Sequence, residues 1–387
     1  MHVITRKVSF LALSASLVAL FSLACSSEVV KEVPVEVEKL VEVVKEVPVT
    51  VEKVVEVEKQ VVVEKVVEKD NRTLLVYSGR AEKLVGNLFD RFTEDTGIKV
   101  RVKYAKSPAL AAALTEEGDN SWADLFYSQD PASLEAVSGM FTQIPSDLLN
   151  SVPAWAKSSS DNWIGVSGRA RVIVHNSSVD PAEMPSDLMG FTDPKWKGRI
   201  GWPPTNGSFQ AMVTAMRNMW GDAKTKEWLE GIQANDPKVY PKNTPTVAAT
   251  ADEEVDIGFV NHYYLHRFQN EQGMDFNASN HYLSGDGPGS IVLLSGIGVM
   301  NHSKNKDLAE AFIAYTLSDQ GQKYFMTKTF EHPLVPGTTD DVTSQECPIC
   351  EGIPDLNSIG TQTPDYGEQL GDLAATQDLL RAVGLIP

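Results

Sequence analysis

Hydrophobic positions change their period several times along the chain. Leu74-Leu75-Val76-Tyr77 is a short apolar run closed by Ser78-Gly79-Arg80, which predicts a buried strand and a turn. Leu84, Val85, Leu88, Phe89 and Phe92 then recur at helical spacing, and Gly97 stops that helix. Ile98-Lys99-Val100-Arg101-Val102 alternates as a second strand, Leu110 to Leu114 lies in a helix, and Ala123-Asp124-Leu125-Phe126-Tyr127 is a third strand. The βαβαβ order predicts a parallel sheet with right-handed crossovers. Its carboxyl edge would expose Ser78, Gly79, Arg80, Ser128, Gln129 and Asp130 together.

A second set of elements follows. Arg169-Ala170-Arg171-Val172-Ile173-Val174-His175 reads as a strand, and Lys195 to Trp202 introduces the next unit. After Pro203-Pro204-Thr205, one helical face is marked by Phe209, Met212, Val213, Met216 and Trp220, with Gly221 as its stop. Asn206, Gly207 and Ser208 therefore sit at a helix N-terminus. Its free N–H groups and dipole suit an anion, and a plain N-cap accounts for the same residues. Glu254 to Val260 alternates as a strand and leads into Asn261-His262-Tyr263-Tyr264, with Leu265 and Phe268 fitting a helix start. In open α/β sheets that edge is where ligands bind. Two phenols there are hard oxygen donors suited to ferric iron, or packing residues with satisfied hydroxyls. Ile291 to Met300 is a long apolar strand, followed by helix from about Asp307 to Thr316. The body makes one sheet, crosses to another and returns.

The beginning has another character. Arg6 and Lys7 precede an apolar run from Phe10 to Leu23, too short and one-sided for a normal membrane span. Ser22-Leu23-Ala24-Cys25 resembles the lipobox of bacterial lipoproteins, with Ser22 where leucine is usual. Residues 1–24 are thus expected to be a lipoprotein signal peptide, with Cys25 lipidated; an ordinary secretory signal is the competing reading. Residues 25–72 read as a Val/Glu/Lys-rich stalk, in which Lys31-Glu32-Val33-Pro34-Val35 recurs as Lys45-Glu46-Val47-Pro48-Val49. Val33, Val37, Leu40, Val44, Val47, Val51 and Val54 keep a coiled-coil spacing. Pro34, Pro48 and Glu58 interrupt it, so oligomerisation of the stalk stays open beside a simple spacer.

The formal net charge of −18 over 387 residues argues against a nucleic-acid partner. Of 3 cysteines, Cys347 and Cys350 are a close pair. Their spacing resembles a thiol redox motif, but no βαβ unit follows, and zinc would lack its usual second pair. A local disulfide in an exported protein is the expectation. His266, His281, His302 and His332 are scattered and read as surface or cleft-rim residues. With no nucleophile triad, phosphate-binding glycine loop or His-Glu-x-x-His helix, an enzyme is not expected.

Several stretches together resemble the iron-binding members of the bacterial extracellular solute-binding proteins, the capture subunits of ABC importers. They are Val76 to Arg80, Phe92 to Val100, Ala123 to Tyr127, Arg169 to Asn176, Trp202 to Gln210, Asn261 to Tyr264, and Glu331-His332-Pro333-Leu334-Val335. The resemblance covers roughly residues 73–337, and the segment from Asp372-Leu373 to Pro387 resembles the family's closing helix. It implies an α/β, two-lobed periplasmic-binding-protein type II fold with a strand hinge. The lobes would be 73–168 with about 291–337, and 169–290 with about 338–387. It implies further that Tyr263 and Tyr264 ligate Fe³⁺ with a synergistic anion such as carbonate or phosphate. Positions matching Asn206, Gly207, Ser208, Asn243 and Asn261 hold the anion in some members, and Arg80 matches an arginine that can face the cleft. The first-lobe ligands of other members are replaced here by Ala81, Glu82 and Gln129, so Glu82, Gln129 or Asp130 are the candidates for extra ligands. An ABC permease and a lipid membrane reached through Cys25 are the implied partners, in an extracytoplasmic, anchored location. The alternative is a binding protein for an anionic organic solute such as a phosphonate or carboxylate, with Tyr263 and Tyr264 as cleft walls.

Overall fold

The computed structural model describes residues 72–283, 287–356 and 373–387. The leader, Cys25 and the repeat up to residue 71 lie outside those residues, as does Asp372. Among the described residues no helix is long and apolar enough to cross a membrane.

The body opens with β1 (Thr73–Ser78), α1 (Glu82–Thr96), β2 (Lys99–Tyr104), α2 (Ser107–Glu117) and β3 (Leu125–Ser128). β1 pairs in parallel with both β2 and β3, as the βαβαβ pattern requires. Helix α1 buries Val85, Leu88, Phe89 and Phe92, one face at helical spacing. Gly97, at φ 77°, ends it in the left-handed region with its N–H donating to the Thr93 carbonyl. Next come α3 (Pro131–Glu135), α4 (Ser146–Leu149) and β4 (Trp163–Asn176). The second half holds β5 (Ile200–Trp202), α5 (Gly207–Ala234), β6 (Lys238–Val239), α6 (Asn243–Ala251), β7 (Ile257–Asn261), α7 (Tyr263–Gln272) and β8 (Ala278–His281). The chain returns through β9 (Val292–Val299), α8 (Lys306–Leu317), α9 (Asp319–Tyr324), β10 (His332–Pro333) and α10 (Leu373–Ala382).

Strand β4 joins the two halves. All 14 of its residues are buried, including the polar Ser167, Arg169, Arg171, His175 and Asn176, so it shows no alternation of buried and exposed positions. Trp163 to Ala170 pair with β9, and Arg171 to His175 pair with β7. The strand order β2-β1-β3-β9-β4-β7-β5-β6 is therefore one hydrogen-bonded path. The side chains nonetheless pack in separate cores. Leu74, Phe92, Phe126, Trp163, Ile297 and Phe312 belong to the first. Ile173, Trp196, Trp202, Phe209, Trp228 and Phe259 belong to the second. On β9, Val292 and Leu294 join the first core while Leu293 joins the second, because successive strand residues face opposite sides. β4 and β9 are the strands that cross between lobes.

Two expectations need amending. Helix α5 does not finish at Gly221. That glycine leaves helical geometry (φ 79°, ψ 163°), but the helix resumes to Ala234 and buries Thr225, Trp228, Leu229 and Ile232. The segment from 338 onward is also not confined to the second lobe: Leu356 packs in the first core and Leu380 in the second.

Candidate functional site

Strand β7 delivers its last residue, Asn261, and then α7 begins at Tyr263. His262 fixes that junction. It is fully buried, its backbone N–H donates to Ala170 of β4 at 3.0 Å, and its Nδ1 accepts from the Ala170 N–H at 3.1 Å. The start of α7 is thus tied to the strand that crosses between lobes. Tyr263 and Tyr264 follow with their rings stacked, centroids 4.3 Å apart. Burial, and then the neighbouring Tyr264, push the Tyr263 phenol well above its ordinary value, so it is neutral until something with positive charge displaces its proton.

Both phenols line a cavity of about 480 Å³ that also takes in Gln129, Asp130, Lys106, Arg169, Asn261 and the 206–208 turn. Each wall has a local cause. On the first lobe, Gly79 donates its N–H to the Tyr127 carbonyl at 2.8 Å, and the Ser107 hydroxyl accepts from the Gln129 N–H at 2.8 Å. A Cβ on Gly79 would lie 2.0 Å from that hydroxyl, so only glycine lets the ends of β1, β3 and the start of α2 meet. Asp130 caps α3 through Oδ1, which accepts from the Ser133 N–H at 2.8 Å.

On the second lobe, Asn206 caps α5, accepting from both the N–H and the hydroxyl of Ser208. The Ser208 oxygen also accepts from Arg171 at 3.3 Å and from Asn243 at 3.1 Å. Arg171 Nη1 donates to Asn261 Oδ1 at 2.9 Å as well. The cap, the anion-favouring turn and the residue before the phenols are therefore one network centred on a guanidinium. Arg171 is 1% exposed, and its Nε and Nη2 have no partner. Desolvation lowers its pKa to about 9, with the nearby phenols acting the other way. A buried cation facing two phenols with unused donors is an arrangement that an anion, or the phenolates themselves, would complete. Arg169 lines the cavity directly. It donates to the Gln129 and Leu294 carbonyls, and its Nε is likewise buried without a partner.

Several expected site residues fall elsewhere. Arg80 does not line the cavity; it is 1% exposed and ion-paired with buried Glu331, which also accepts from Ser167 at 2.6 Å. Burial would lower its pKa, but Glu331 and the nearby Tyr127 and Tyr263 together raise it above its ordinary value. Its charge is spent inside the first lobe, while Arg169 lines the cavity and Arg171 lies against Ser208. Glu82 is exposed at the start of α1, away from the cavity. Asn243 lies behind Ser208, 1% exposed with its Oδ1 unpartnered, rather than on the cavity wall. Gln129 and Asp130 do line it, as do Asn206, Gly207, Ser208 and Asn261. His266 and His332 are not surface residues. They are 2% and 1% exposed and cluster with His262, whose ring lies 4.1 Å from His332. Desolvation pushes His266 down to about 4 and His332 to about 3, so this cluster is neutral. Cys347 and Cys350 are joined by a disulfide.

Lys106 and Arg169 on the cavity wall, and Arg171 buried against Ser208 and Asn261, are groups that sequence reasoning missed. The two arginines stand within a β-type run of otherwise small or apolar residues, a placement that itself signals buried charge with a purpose. Among the described residues no group of three or more His, Cys, Asp or Glu side chains is placed to hold a metal ion. A metal in this cleft would depend on the phenols and an added anion.

Two lobes joined by crossing strands, with a cavity between them that takes in both phenols and several charged and polar side chains, define a ligand-capturing protein. Residues 87–351 match the model of the bacterial extracellular solute-binding protein family, and the chain belongs to that family. It is 34% identical over 272 residues to the major ferric iron-binding protein of Neisseria meningitidis serogroup B (strain ATCC BAA-335 / MC58), covering 68% of this chain and 81% of that protein. The crystal structure of iron-bound HitA from Pseudomonas aeruginosa superposes with a TM-score of 0.71 at 29% identity, over 81% of this chain and 99% of that one. FutA of Trichodesmium in complex with iron and citrate gives a TM-score of 0.70 at 30% identity, over 81% of this chain and all of that one (100%).

Proposed function

We propose that this chain is an extracytoplasmic ferric-iron-binding protein that delivers Fe³⁺ to an ABC import permease. The stacked pair Tyr263 and Tyr264 on the wall of an interlobe cavity carries the reading. The names of its relatives, a ferric iron-binding protein and iron-bound structures, support it. Two phenolates would leave Fe³⁺ with residual positive charge. A synergistic anion, carbonate or phosphate, would offset that charge from a seat beside the Asn206–Ser208 turn, held by Arg169 and backed by Arg171. Ser208 already donates to Asn206 and accepts twice, so its hydroxyl serves the network rather than the anion. Gln129 and Asp130 are the first-lobe groups nearest to hand for remaining positions. A leader ending at Ala24-Cys25 and a stalk over 25–72 fit anchoring of this body to a membrane through lipidated Cys25.

Ferric titration of the purified protein, with the anion varied, tests the reading. A visible ferric–phenolate band is expected, and Tyr263→Phe or Tyr264→Phe should weaken or abolish it while the far-UV signature stays near normal. Should no band form with ferric citrate and any common anion, while an organic phosphonate or carboxylate raises the melting temperature, the protein captures an organic anion instead.

A further inference from the structure

Tyr263 does not owe its position to α7 and the stacked Tyr264 alone. Its ring also belongs to a small apolar cluster with Met326, Phe330, Cys347, Cys350 and Ile353, separate from both lobe cores. The two cysteines are 6% and 3% exposed and disulfide-bonded. Between and just beyond them the chain makes a 3₁₀ turn, Pro348–Gly352, closed by the Cys350 N–H donating to the Cys347 carbonyl at 3.0 Å and the Ile353 N–H to the Cys350 carbonyl at 2.9 Å. The same turn touches α7 a second time. A Cβ on Gly352 would lie 3.1 Å from the His266 ring, one helical turn after Tyr263. So the turn meets the inner side of the first turn of α7 at two points.

This disulfide closes a loop of separation 3. Loop-closure entropy grows with loop length, so a link this short constrains the unfolded chain less than a long one would. What it constrains well is local shape. The direction of a phenol oxygen follows from how its ring is packed, and a ring free to change rotamer offers a metal a poorer ligand. From these contacts we infer that the Cys347–Cys350 turn is a positioning element for Tyr263. By pinning the wall against which that ring packs, it sets the ring's orientation toward the cleft. This inference rests on the ferric-binding reading and extends it to residues outside the cavity.

The experiment compares oxidised wild-type protein with Cys347→Ser/Cys350→Ser in the full chain, by chelator-competition ferric titration and by the visible spectrum. Loss of the pin should lower ferric affinity by about 10- to 100-fold, the range for groups that orient a metal ligand from behind, and should shift the phenolate band. Wild-type protein reduced in its folded state, desalted under argon and then titrated, should behave like the variant and recover on reoxidation; this arm serves if the variant folds poorly. A role in stability alone would lower the melting temperature while leaving band position and affinity untouched at 25 °C, and that result overturns the inference. Absence of any band in oxidised wild-type protein overturns the iron reading itself, and this inference with it.

Discussion

Replacing Arg171 with methionine separates what a buried cation costs from what it is for. The guanidinium is 1% exposed, with two nitrogens unpartnered and a pKa lowered to about 9 by desolvation. A lowering of that size corresponds to a penalty on the order of a few kcal/mol for keeping the group charged. Methionine fills much of the same volume without the charge. Against the relief stand two lost hydrogen bonds, to Asn261 and Ser208. Each has a charged donor and is worth about 1.5–3 kcal/mol, the stranding of the Asn261 oxygen being part of that loss. The terms oppose one another at similar size, so Arg171→Met should move the iron-free melting temperature by no more than about 4 °C. Loading is different, because bound anion and phenolates supply the partner that the charge lacks. A charge-assisted interaction of about 1.5–3 kcal/mol is then lost, a drop of roughly 10- to 150-fold in ferric affinity measured with the anion present. The assay is ferric titration against a competing chelator across carbonate and phosphate concentrations, with differential scanning fluorimetry of the same samples. A fall in iron-free melting temperature of more than about 10 °C, with the anion dependence unchanged, would make Arg171 a structural group and refute the charge argument.

Glu331→Gln should remove the charge that balances buried Arg80, costing about 3–5 kcal/mol of stability in chemical denaturation; an intact ferric band in that variant is expected, because the pair lies off the cavity. Burial holds the Tyr263 phenol above its ordinary value, and forming a phenolate ligand releases one proton for each phenol bound. Ferric affinity at fixed free Fe³⁺ should therefore rise by about 100-fold per pH unit for two phenolates and fall equally on acidification. A slope of one proton or fewer, from titrations at two pH values, would contradict ligation by both phenols.

Periodicity alone made the first five elements legible, because α1 buries a single face and β1 and β3 are continuous apolar runs. The adjacent phenols and the capped turn at Asn206 were legible too, since both are local: neighbouring residues at the end of a strand or the start of a helix must share an edge. Gly221 misled for the converse reason. A glycine stop and a glycine kink look alike in sequence, and only the packing of Trp228, Leu229 and Ile232 on the second core lets the helix resume. The destination of each charge was also beyond the sequence. Arg80, Arg169 and Arg171 all follow or form strands that reach the lobe junction. Which one meets an internal carboxylate and which faces the cleft depends on where Glu331 arrives, and Glu331 lies 251 residues from Arg80. The three histidines look scattered because their meeting depends on β10 pairing with β4 beside the start of α7. Sequence fixes what a residue can do with its near neighbours. Long-range strand pairing and burial decide which partner it meets, and through desolvation which charge it carries.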